Sequence, residues 1–146
     1  MDLFRTPNDY VLTITRLILG VVFFAHGAQK LLGWFGGFGF AGTMHAFTSA
    51  GMPAALGLFV IFTEFFGGLG MITGLLARLS ALGIIALMLG AISTVHAKVG
   101  FFMNWYGTQK GEGFEYHLLA IAVAIVIVVK GAGPLSIDRV IAERQR

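Results

Sequence analysis

Residues 16–30 read RLILGVVFFAHGAQK, a run greasy enough to enter a bilayer that nonetheless carries Arg16, His26 and Lys30. At about 100° per residue, Arg16 to His26 turns through roughly 280° and Arg16 to Lys30 through roughly 320°, so the three lie within roughly 80° on a helix. Gly20 and Gly27 share that flank. A charge at the bilayer centre costs about 2.5–3.5 kcal/mol on insertion scales, so this face must meet protein or a wet cavity rather than lipid. The stretch therefore predicts a membrane helix whose polar face is completed by other helices.

The rest of the composition agrees. Of 146 residues, 57% are hydrophobic and only 12% charged, which places the chain in the membrane class and allows one domain. The formal charge of +3 comes from Lys and Arg at segment ends, as membrane anchors sit, and no basic stripe suggests nucleic acid. There is no cysteine, which excludes disulfides, thiolate metal sites and redox dithiols; any redox chemistry needs a bound cofactor or a quinone. Asp2, Arg5 and Asp9 give no positive leader, and Arg16 interrupts the apolar run, so the first segment is expected to stay as an anchor rather than leave as a signal peptide.

Taken in order, the chain predicts an all-α membrane protein: a single domain over 1–146 built as a four-transmembrane-helix bundle. The spans fall at about 10–32, 54–75, 79–98 and 114–129, with a polar tail over 131–146. Between spans one and two, WFGGFGFAGTMHAFTSAG (residues 34–51) has Phe40, Met44 and Phe47 on helical spacing, which predicts a short interfacial helix, with His45 as an interfacial polar residue. Trp34, Phe35 and Phe38 read as an aromatic belt. A second aromatic connector, GFFMNWYGTQKGEG (100–113), lies on the same side. Arg5, Arg78, Lys130, Arg139, Arg144 and Arg146 collect on one side and Lys30, Lys98 and Lys110 on the other, so both termini are expected in the cytoplasm of a bacterial inner membrane.

Depth along the spans sorts the ionisable residues into two layers. Arg16 lies roughly 9 Å and Glu64 roughly 15 Å from the cytoplasmic ends of their spans, at 1.5 Å rise per residue, within an arginine's reach. Arg16–Glu64 is therefore the first expected pair, either a structural ion pair or a proton relay; Glu64 pointing up to His26 or Lys30, or remaining neutral, is the alternative. In the outer layer His26, Lys30, His96, Glu115 and His117 fall at similar heights and form the candidate ligand or quinone pocket. Three imidazoles and a carboxylate can ligate a metal, which makes His26, His96 and His117 weak metal candidates, since each helix supplies one histidine. They can equally hydrogen-bond a quinone and move its protons, or simply tie the bundle ends together. Spans one and three both begin Arg-Leu (Arg16-Leu17, Arg78-Leu79) and end near a histidine, a faint sign of parallel duplication.

Several patterns together carry a family resemblance: His26-Gly27-x-x-Lys30-Leu31, Gly33-Trp34-Phe35-Gly36-Gly37, Glu64-x-x-Gly67-Gly68, Gly74-Leu75-x-x-Arg78, His96-x-x-x-Gly100-Phe101-Phe102, Glu112-Gly113-x-Glu115-Tyr116 and Gly133-Pro134-x-Ser136-x-Asp138. With these the chain resembles the DoxX-like family of small four-helix bacterial membrane proteins. The resemblance implies a compact bundle linked to redox physiology, since some relatives are subunits of a thiosulfate:quinone oxidoreductase.

Three functions follow as expectations. The first is a subunit of, or accessory to, a quinone-linked oxidoreductase, with a quinone as ligand, an oxidoreductase as partner and Glu64 as proton relay. The second is a non-enzymatic membrane adaptor or assembly factor. The third is a small-molecule or metal transporter, which with four spans would need a homo-oligomer.

Overall fold

A computed structural model describes residues 3–145; Asp2 and Arg146, used above in the charge arguments, lie outside the described residues. Six helices follow in order: α1 (Tyr10–Leu32), α2 (Gly39–Ser49), α3 (Ala54–Thr73), α4 (Ala77–Thr94), α5 (Glu115–Lys130) and α6 (Ile137–Arg144). No strand occurs among the described residues. Three helices, α1, α3 and α4, are long and apolar enough to cross a membrane. Helix α5 forms where a fourth span is expected but is 16 residues long. The other departures lie at helix ends. Helix α4 stops at Thr94, and His96–Lys98 makes a separate 3₁₀ turn.

Local chemistry sets the boundaries. Asp9 caps α1 by accepting the Val11 N–H at 2.9 Å. Gly74 ends α3 in the left-handed region (φ 69°), which costs glycine nothing. Two residues on, Leu76 is also left-handed (φ 51°), a conformation a leucine holds only when its surroundings fix it.

The helices approach through small residues. A Cβ on Gly20 would lie 2.8 Å from the Ile72 nitrogen, and one on Gly27 would lie 2.7 Å from the carbonyl carbon of Glu64. Gly68 meets the backbone of Phe24 from the other side. The α1–α3 seam is thus backbone against backbone, the packing that drives helix association where lipid removes the hydrophobic incentive. Helices α4 and α5 pack alike through Ala77, Ala81, Ala120 and Ala124, filled out by Ile84, Leu87, Met88 and Ile127. At the seam's centre α3 widens into a π-turn over Thr63–Gly67. Such turns interrupt an α-helix at a cost and recur at functional sites. This one contains Glu64.

Candidate functional site

The polar residues form two layers, and Glu64, grouped by depth with Arg16, falls in the other one beside Lys30. At the end carrying the termini, Arg16 is 1% exposed and donates only to backbone carbonyls. Its Nε reaches Ala132 O at 2.9 Å, Nη2 reaches Leu135 O at 2.7 Å, and Nη1 reaches Ile72 O at 2.7 Å and also Met71 O. The expected Arg16–Glu64 pair is therefore corrected. Met71 and Ile72 lie in the last turn of α3, whose carbonyls have no helical partner and carry partial negative charge. These two, with Ala132 O and Leu135 O from the connection after α5, give four acceptors at the level of the guanidinium and outcompete a carboxylate two turns higher.

Arg78 does the same for α5, donating to Val129 O at 3.0 Å and to Val128 O, and to Arg5 O at 2.9 Å. Arg16 from within α1 thus closes α3, and Arg78 from the first turn of α4 closes α5. Asp138, 1% exposed, completes this layer. Its Oδ1 accepts from Leu76 N at 2.8 Å and its Oδ2 from Ala77 N at 2.9 Å, capping α4 and holding Leu76 left-handed. Burial pushes the Asp138 carboxyl above its ordinary value, against the pull of the two N–H bonds and of Arg16 and Arg78.

The other layer centres on Glu64. Its Oε2 lies 2.6 Å from Lys30 Nζ, the alternative partner named from sequence. The reason is the seam. Gly27 touches the Glu64 backbone, and Lys30 is one helical turn further along the same flank of α1. Glu64 as a residue is 8% exposed, while the Lys30 side chain keeps 24%. Tyr116 stands in the first turn of α5. Its ring centre is 5.6 Å from that of His117, whose own ring centre lies 4.1 Å from that of His96 with the planes tilted at 45°. His117 is 6% exposed and its Nδ1 is buried without a hydrogen-bond partner. His96 is half-buried, with Nδ1 2.7 Å from Glu112 O.

Two members of the expected pocket stand apart. His26 is exposed, at the edge of the polar arc, and makes no ion pair or hydrogen bond among the described residues. Glu115 turns to the second connector, where its Oε1 accepts from Met103 N at 2.9 Å and Trp105 Nε1 at 3.1 Å. Glu112 works beside it, accepting from Asn104 N at 2.7 Å. Tyr116 and Asp138 were absent from the sequence-derived site although both stand in the patterns that carry the resemblance. His45 is exposed on α2.

For metal chemistry the arrangement is poor. No group of three potential ligands forms among the described residues. Imidazoles converging on one ion at about 2.0–2.1 Å point their nitrogens at a common centre, whereas the His96 and His117 rings lie 4.1 Å apart tilted at 45°, with His96 Nδ1 taken up by Glu112 O. For a ligand with carbonyl oxygens the group fits better, since a phenol, an imidazole and an ammonium can each donate a hydrogen bond. A groove of about 600 Å³ between α3 and α4, lined by Phe62, Phe66, Leu69 and Leu79, is apolar and contains none of the candidate site residues.

Comparison with known proteins is consistent with this architecture. The DoxX family profile matches residues 11–97. "Putative oxidoreductase CatD" of Bacillus subtilis (strain 168) is 28% identical over 125 residues, covering 86% of this chain and 82% of its own. "Inner membrane protein YqjF" of Escherichia coli (strain K12) is 26% identical over 137 residues, covering 94% and 96%. No solved structure matches.

Proposed function

This chain belongs to the DoxX family, and on that premise we propose that it is a four-span inner-membrane protein serving a quinone-linked oxidoreductase, with its site at the Lys30–Glu64 pair. The observation that carries the reading is that pair itself: a carboxylate in a π-turn midway along a membrane helix, held by a lysine that stays partly accessible. Reduction of a quinone consumes two protons with its two electrons, so a quinone site needs proton carriers beside the carbonyl oxygens. Lys30, Glu64, Tyr116 and His117 are such groups. The electrons come from a partner or a bound cofactor, because the chain has no cysteine and no cofactor-attachment motif. The names of the two relatives, an oxidoreductase and an inner membrane protein, point the same way. The test is solvent extraction of the purified protein. It should release quinone from the native chain and far less from Glu64→Gln; no quinone in either, with no donor-driven quinone reduction, would overturn the reading.

One observation favours the adaptor reading as the alternative. The second connector is tightly built, with Phe114 N and Glu115 N bonded to the carbonyls of Gly100 and Phe101, and it presents Phe102, Trp105 and Tyr106 to the outside. Ordered aromatic side chains of this kind suit a protein partner. A stoichiometric partner that stays bound after His117→Phe, with no quinone found, would establish it.

A further inference from the structure

Helix α6 is fastened to the bundle by its polar side. Asp138 N–H donates to Gly74 O at 2.9 Å, and the Asp138 carboxylate accepts from Leu76 and Ala77, which fixes the start of the helix on the turn between α3 and α4. Both of those helices are long and apolar enough to cross a membrane, so this turn, and the start of α6 with it, lies at a bilayer surface. Arg139 follows on the same flank, where it donates to Thr6 O at 3.4 Å and pairs with Glu143. The apolar residues face the other way. Ile137, Val140, Ile141 and Arg144 fall within about 100° of one another on helical geometry. Ile137 and Val140 are 42% and 48% exposed, and Leu135 just before them is 64% exposed. An amphipathic helix surrounded by water turns its apolar stripe toward its own protein. This one turns a buried aspartate inward and leaves the stripe outside. We propose that α6 lies in the bilayer surface at the end carrying the termini and binds anionic phospholipid, with its stripe among the acyl chains and Arg144 on the lipid phosphate.

Two features select lipid as the occupant. The first is continuity with the surface the spans already give to the membrane. Ile137 lines the groove between α3 and α4 together with Leu75 and Leu79, both exposed, so the stripe of α6 extends that apolar surface around the end of the bundle. The second is charge. Arg144 is exposed within the apolar arc, where its stem can lie along the stripe while the guanidinium reaches the headgroup level. Arg5, Lys130 and Arg144 are all exposed at this end and make no ion pair among the described residues. The exposed acids here are engaged, Asp9 in capping α1 and Glu143 with Arg139. The free charge facing the lipid is therefore positive, which matches an anionic headgroup.

Because the chain has no cysteine, a nitroxide label can be placed singly at Val140→Cys or at Glu143→Cys in the full chain. In lipid nanodiscs its collisions with oxygen, which dissolves in acyl chains, are compared with those of a water-soluble nickel chelate. In phosphatidylglycerol the Val140→Cys label should favour oxygen and the Glu143→Cys label nickel. In phosphatidylcholine the oxygen preference at Val140→Cys should weaken, and adding Arg144→Gln should abolish the difference between the two lipids. A Val140→Cys label as open to nickel as the Glu143→Cys label in both lipids overturns the proposal, since α6 then stands in water. An oxygen preference that is equal in both lipids, with or without Arg144→Gln, overturns the anionic headgroup site. A Val140→Cys label shielded from both reagents overturns lipid contact in favour of a second copy or another protein. Val140 is exposed, so its labelling leaves the core intact.

Discussion

Lys30 and Glu64 meet at 2.6 Å because Gly27 lets α1 touch the π-turn that carries the carboxylate. The pair is asymmetric, since the lysine keeps some access to its surroundings while the glutamate is buried. Removing the lysine alone leaves an uncompensated buried charge or forces its neutralisation. Lys30→Met should therefore destabilise the protein by about 1–3 kcal/mol, discounted from a fully buried pair, and Lys30→Met/Glu64→Gln should recover most of that loss. Thermal unfolding in detergent of the two single variants and the double variant measures the coupling.

The seam is tested separately. Gly27→Ala would push a methyl into the backbone of Glu64 and Phe65, which cannot move as a side-chain end can. A loss of about 2 kcal/mol or more in unfolding free energy is expected. Gly90→Ala, with nothing within 4 Å, should be neutral or slightly stabilising.

Asp138 gives the pH dependence a sign. Its carboxyl is raised by burial, so its contribution is fully present below the unfolded value of about 3.9 and is lost as pH rises through the raised folded value. The melting temperature of the native protein should fall across that window, and Asp138→Asn should flatten the fall. The amide has one acceptor where the carboxylate has two, so Asp138→Asn should also cost about 1–3 kcal/mol at the cap of α4. A parallel shift of the whole pH curve would show that another group sets the slope.

How much of this was legible beforehand depends on where the partners lie. Helix α1 was readable to the residue, because its apolar run begins after Asp9 and stops at Gly33. The short α2 was readable from Phe40, Met44 and Phe47. Arg16 was placed on the right face and given the wrong partner, because helix-end carbonyls leave no mark in a sequence whereas a carboxylate does. The π-turn was hidden because α3 is apolar on nearly every side and offers no stripe whose phase an extra residue could shift. His26 fell inside an arc of roughly 80° on helical geometry, but the buried face centres on Arg16 and that arc's edge is already exposed. Asp138 acts 62 positions from Leu76 in the chain, a distance no local pattern spans.

Orientation can be read directly because the chain has no native cysteine. With both termini in the cytoplasm, Thr108→Cys in the second connector should react with an impermeant maleimide on intact cells, and Gln145→Cys should react only after lysis. The reverse pattern would invert the topology.

A quinone site centred on Lys30–Glu64 should show itself when a short-chain ubiquinone is titrated against the purified protein in lipid nanodiscs and the fluorescence of Trp34 and Trp105 is followed. Binding should saturate and be weakened by Glu64→Gln by about tenfold, or roughly 1.4 kcal/mol, while Gly90→Ala leaves it unchanged. Binding that does not saturate, or that is the same in Glu64→Gln as in the native chain, would contradict it.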